Sequence, residues 1–127
     1  MAFSVLEWAY PRLPPIPGMK WVTGWPASFE SMPIGCLRKA DDGAGAITTE
    51  GEGSAEVSIY IDTWAKTPED REKYEGLIKD AFRFSGMVRM NSRQTEEIAP
   101  DELKRFRSTL VYAGEYDIDQ GRMCRPT

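Results

Sequence analysis

"SIYIDTWAKTPEDREKY", residues Ser58 to Tyr74, decides the fold. Its first half alternates in polarity and its second half opens a helix, with only Ala65, Lys66 and Thr67 between them. Extended back to Ala55, the alternation puts Ala55, Val57, Ile59, Ile61 and Thr63 on one face. Glu56, Ser58, Tyr60, Asp62 and Trp64 share the other. Period two over this length predicts a strand whose first face covers a core. The second face is polar at one end and aromatic at the other. Thr67 is placed to cap a helix, because its hydroxyl can accept from a free amide of the first turn. Pro68 falls at the first helical position, where its missing N–H costs nothing. Glu69 and Asp70 lie near the positive end of the helix dipole. Tyr74, Leu77, Ile78, Ala81 and Phe82 then form one apolar stripe, with Glu72, Glu75, Lys79 and Arg83 opposite. Glu69–Lys73 and Glu75–Lys79 are favourable pairs one turn apart. Gly86 is the expected left-handed stop. The junction holds no glycine loop and no nucleophile, so the stretch reads as architecture and not as an active site.

Outward from this centre, "YPRLPPIPG" at 10–18 carries four prolines. Proline fixes φ and removes a donor, so 1–18 is expected to be an extended arm, with at most a weak helical turn at Ser4–Trp8. The remaining residues, 19–127, read as one domain. "MKWVTGWP" (19–26) and "MPIGCLRKA" (32–40) are strand candidates, and Gly35 within the second marks a bulge or a close backbone approach. Residues 41–54, rich in Gly and acid, read as a flexible hairpin tip. After the helix, "MVRMNSR" (87–93) and Phe106–Tyr116 are strands, and the tail holds one short edge strand. Residues 94–104 read as a loop with a helical turn after Pro100. The fold class is therefore α+β: a mostly antiparallel sheet of about four strands, one long helix on one face, and a short second helical piece.

Composition narrows the function. The 127 residues carry 16 basic and 20 acidic side chains, a net charge of −4, which gives no electrostatic reason to hold DNA. There is no histidine, which removes the commonest general base and zinc ligand. The two cysteines, Cys36 and Cys124, form no CxxC pair and read as reduced thiols. The start, "MAFSVLEWAY", lacks a basic region and is interrupted by Glu7, so no signal peptide is expected.

Candidate sites follow from residue type. Glu115, Asp117 and Asp119 alternate at the end of the last long strand and could offer oxygen ligands to Mg²⁺ or Ca²⁺, although no EF-hand loop surrounds them. Asp41, Asp42, Glu50 and Glu52 crowd the Gly-rich loop, where exposure keeps carboxylates ionised and suits docking on a partner better than catalysis. "DGAGA" and "GEGSA" match neither glycine-rich phosphate motif. Arg83, Arg89, Arg93, Lys104, Arg105, Arg107, Arg122 and Arg125 cluster mildly, with Phe84 and Phe106 interleaved. Tyr60 and Trp64, paired on the face away from the helix, point to a second packed layer or a subunit contact.

Three pieces in this order carry a resemblance: "GMKWVTGWPASFESMP", "EVSIYIDTWAKTPEDREKYEGLIKDAF" and "RSTLVYAGEYD". A strand ending in Asp-x-Trp-Ala-Lys-Thr, followed by an acidic helix, is the most telling part. Together they resemble the tail terminator, or tail completion, proteins of long-tailed bacteriophages, over roughly residues 19–118. The resemblance implies a small domain with a largely antiparallel sheet, no catalysis and no cofactor. It implies a hexameric ring on the head-proximal end of the tail tube that stops tube growth and presents a surface to the head connector or stopper protein. DNA would pass through without specific recognition, and the protein would sit in the virion tail after assembly in the host cytoplasm. Family members often start with a substantial helix that helps form the ring, and here the arm 1–18 stands in that place. Tyr60, Trp64, Asp41, Asp42, Glu50 and Glu52 are the candidate interface residues.

Other readings stay open. A head-closure protein belongs to the same class. A small carboxylate or metal enzyme requires Asp117 and Asp119 to meet a third carboxylate in a pocket. A nucleic-acid-binding module requires Arg83, Arg89 and Arg93 to bind DNA in a salt-sensitive way.

Overall fold

The computed structural model describes residues 4–27, 32–39, 54–98, 104–117 and 122–123. The alternating stretch forms β3 (Ser54–Ala65), the central strand, and the capped stretch forms α2 (Pro68–Ala81). Thr67 caps α2 as its sequence requires: its hydroxyl accepts from the Asp70 amide at 3.1 Å. The helix stops at Ala81, earlier than the Gly86 signal: Phe82 leaves helical geometry at φ −97°, ψ 4°, and its carbonyl accepts from the Ser85 amide and hydroxyl at 3.2 and 2.8 Å. Gly86 does adopt positive φ, but in the loop that leads to the next strand.

Around β3 lie β1 (Lys20–Thr23), β2 (Ile34–Lys39), β4 (Val88–Ile98), β5 (Lys104–Asp117) and the short β6 (Arg122–Met123). The sheet order is β1-β2-β3-β5-β4, and β6 pairs with β5. All pairings are antiparallel except β1 with β2, which is parallel. The class is α+β. The expectation of about four strands is corrected to five in a mixed sheet among the described residues, with β6 as a short addition. Two of the differences have a local cause. Residues 94–98, read as loop because they are polar, extend β4, since an edge strand needs no buried face. β1 is too short for its pairing direction to be legible in its pattern.

The predicted core face of β3 holds. Val57, Ile59 and Ile61 pack with Leu37 of β2, Leu110 and Tyr112 of β5, and Ile78 and Phe82 of α2. Each such side chain contributes roughly 1.5–3 kcal/mol on burial. Glu75, expected on the outer side of α2, is instead buried, where it accepts from Gln94 Nε2 of β4 and faces Lys79 Nζ at 3.6 Å. The sheet is wider than the helix, so a flank position of α2 meets β4.

The N-terminal segment is also corrected. The short helical turn expected at Ser4–Trp8 is present and firmer than read, as α1 (Val5–Ala9) capped by Ser4, whereas Tyr10–Arg12, expected to be extended, continue as a 3-10 turn. Pro11 sits early in that turn, where a missing donor is tolerated. Val5 and Ala9 enter the core beside α2's partners, and Ile16 joins Ala65 and Tyr74 in a second apolar cluster. The segment is thus a strap that closes one end of the helical face. Gly35 explains how it fits. A Cβ there would lie 2.4 Å from the Trp21 ring, and the Trp21 indole donates to the Pro14 carbonyl at 3.1 Å.

Candidate functional site

Alternation sends Cys36 and Arg38 of β2, Tyr60, Asp62 and Trp64 of β3, and Arg107, Thr109 and Val111 of β5 to the face without helices. Asn91, Arg93 and Thr95 of β4 extend it outward. Asp62 is at its centre and fully buried. The register explains why. Asp62 lies opposite Cys36 on one side and Thr109 on the other, with Arg38 and Arg107 each two residues further along in opposite directions.

The contacts are dense. Arg38 donates to Asp62 Oδ2 through Nε at 2.9 Å and Nη2 at 2.8 Å. Arg107 donates to Oδ1 through Nη2 at 2.9 Å and Nε at 3.2 Å. The Thr109 hydroxyl donates to the same oxygen at 2.5 Å, and the Cys36 thiol approaches Oδ2 at 3.7 Å. Arg107 reaches on to Glu97 Oε1 at 3.4 Å, while the Trp64 indole donates to Glu97 Oε2 at 3.3 Å. One carboxylate thus holds two guanidiniums in fixed orientations.

Trp25 covers part of this arrangement. Gly24 adopts φ +77°, a conformation that favours glycine, and its amide bonds the Leu37 carbonyl at 2.9 Å. That turn brings Trp25 onto the sheet, 5.8 Å from Trp64 ring to ring. The Arg38 and Arg107 guanidiniums lie 4.3 and 5.0 Å from the Trp25 ring centroid, within cation–π range. Arg38 also lies 4.8 Å from the Tyr60 ring.

Local charge and burial shift two groups. Burial pushes the Cys36 thiol up to about 12, with the negative Asp62 beside it adding to the effect. Burial pulls the Arg107 guanidinium down, but its hydrogen bond to Asp62 and the Asp62 charge outweigh that and leave it raised. Cys36 is accordingly a poor nucleophile, since the thiolate is the reactive form.

Beside the Trp25 cover, Arg38, Tyr60, Arg107, Thr109 and Val111 form one wall and floor of a depression of about 290 Å³. Asn91, Arg93 and Thr95 form the other wall. A second, more open groove of about 840 Å³ runs between α1 and β1, past Leu6, Tyr10 and Trp21.

The expected interface residues separate. Tyr60 and Trp64 share the helix-free face as expected, but Trp64 is only 1% exposed and lies beneath Trp25, so it is not itself a contact surface. The second layer over it is supplied by the chain's own turn. Asp41, Asp42, Glu50 and Glu52 lie outside the described residues. Glu115 is exposed and Asp117 half-buried, Asp119 is outside the described residues, and no metal-ligating cluster occurs among those described. The basic residues do not form one patch. Arg93, Arg105 and Arg107 belong to the helix-free face and Arg89 to the other, opposite Tyr112. Arg83 lies over Phe84 beyond the end of α2. Trp25, Arg38 and Asp62 were not singled out from the sequence. A lone acid in the middle of a strand, flanked by aromatics, was the available signal, but its partners come from three strands apart in sequence.

No protein-family model matches the chain, and no curated protein aligns with it significantly.

Proposed function

We propose that the protein is a virion assembly component: a tail terminator that forms a ring on the head-proximal end of a phage tail tube, halts tube growth and offers a surface to the head connector. It acts by contact, without catalysis or cofactor. The sequence resemblance supports the role, and the character of β4 supports association. Among the described residues β4 is an edge of the sheet, pairs only with β5, and is exposed at nine of its eleven residues. An exposed edge of that length is a template for another chain. Met90 is 65% and Ile98 73% exposed on it, one toward each end, where a strand docked along this edge would cover them. The bulge between Arg89 and Asn91 and the charges of Arg93 and Glu96 restrict which strand can pair. A ring needs two different patches per subunit, and the β4 edge with the opposite β1 edge offers such a pair.

The experiment is native mass spectrometry of the wild type and of Met90→Glu/Ile98→Lys, alone and with tail tubes. Wild type is expected to form a closed oligomer, at least on the tubes. The double variant should stay monomeric with an unchanged melting temperature, because both side chains lie outside the core. A double variant that assembles normally removes β4 from the interface. A wild type that never assembles or binds tubes removes the proposal.

A further inference from the structure

The depression on the helix-free face is rich in donors and poor in acceptors. Arg38 spends Nε and Nη2 on Asp62, and its Nη1 has no partner among the described residues. Arg93 has no counter-ion among the described residues, and it faces the same space. Arg107 is anchored by Asp62 and Glu97 at the inner wall. Asn91, Thr95 and Tyr60 add an amide and two hydroxyls. Three arginines against Asp62 and Glu97 leave one net positive charge, and among the described residues no carboxylate lines the depression itself. The guanidiniums come from three different strands, so their donors approach from several directions instead of forming one planar fork. A tetrahedral oxyanion suits that distribution better than a planar carboxylate. The buried Asp62 makes the site pre-organised: Arg38 and Arg107 are already held and need no ordering when a ligand arrives.

We propose that this depression binds a phosphate group carried by a small molecule, with Arg93 and Arg38 Nη1 as the principal donors. Its volume, about 290 Å³, leaves room for an organic portion beyond the phosphate. The rings of Tyr60 and Trp25 lie close to Arg38 and offer that portion an apolar contact. The depression is present in the single chain, so phosphate binding is read without ring assembly, although its Asn91, Arg93 and Thr95 wall belongs to the β4 edge proposed for docking.

The test titrates the full chain with inorganic phosphate and, separately, phenyl phosphate at constant ionic strength, following tryptophan fluorescence and melting temperature. Acetate and chloride serve as controls. Saturable binding is expected for both phosphates, tighter for phenyl phosphate if the rings contribute. Arg93→Ala should weaken it by about tenfold, the loss typical of one charge-assisted hydrogen bond. Arg83→Ala, outside the depression, should change nothing. Arg93 is exposed, so its loss leaves the fold intact. Absence of saturation with both phosphates overturns the proposal. So does an equal response to acetate, or an Arg93→Ala variant that binds as wild type does.

Discussion

Replacing Asp62 by Asn tests whether the helix-free face is organised by one buried charge. Asp62 accepts five hydrogen bonds, from Nε and Nη2 of Arg38, Nε and Nη2 of Arg107, and the hydroxyl of Thr109, and a sixth, weaker one from the Cys36 thiol. Asparagine keeps the shape but offers one acceptor oxygen and one donor amide. The amide must then face one of the two guanidiniums, donor against donor; Arg38 loses its counter-charge, and Arg107 keeps only the longer pair to Glu97 at 3.4 Å. Breaking a fully buried pair costs about 3–5 kcal/mol. The arginine side chains are 20% and 22% exposed, so water recovers part of the loss and about 3 kcal/mol is the expected cost. With a urea slope of about 2 kcal/mol/M, the unfolding midpoint should fall by about 1.5 M. The loss should persist in about 1 M NaCl, because salt screens exposed charges far more than buried ones. A midpoint within about 0.3 M of wild type, or a difference that vanishes in high salt, would refute the reasoning.

Further outcomes follow from other parts of the chain. Thr63 and Ser108 face each other across β3 and β5 with hydroxyls that are buried and lack a partner among the described residues. Thr63→Val with Ser108→Ala should therefore raise stability, by about 1–2 kcal/mol in chemical denaturation. Gly35→Ala should cost about 1–3 kcal/mol, read the same way, because its Cβ would displace the Trp21 ring from the strap. The Cys36 thiol, pushed from 9.0 up to about 12, gives a pH dependence. Below about pH 9 the thiol is protonated in both folded and unfolded chains and its contribution is whole. Between about pH 9 and about pH 12 only the unfolded chain releases the proton, so unfolding becomes easier as pH rises. Relative to Cys36→Ala, wild type should lose about 2 kcal/mol between about pH 8.5 and pH 10.5, and parallel stability profiles would contradict this.

The central unit was legible because its signals are local. The alternation of β3 and the Thr67–Pro68 cap of α2 each depend on neighbours within a few residues, and both stand as read. Gly35 was legible as a close approach, though not that Trp21 would be the neighbour. Polar Gln94–Ile98 misled, because an edge strand carries no buried face to reveal it. Pro11 misled differently: proline permits a helical start when it falls in a first turn, and the 3-10 turn Tyr10–Arg12 uses that, while Leu13 beyond it is extended as read. The Asp62 site depends on register between β2, β3 and β5, with partners 24 and 45 residues away. No local pattern encodes such a distance. The same holds for Trp64, whose exposure was decided by a turn at Gly24 forty residues earlier.

Electron microscopy of tail tubes incubated with the purified chain tests the assembly role most directly. A ring of density at one end of each tube, with tubes that no longer lengthen when tube protein is added, is the expected result. Bare ends on tubes that keep growing, at protein concentrations well above that of the tubes, would contradict it.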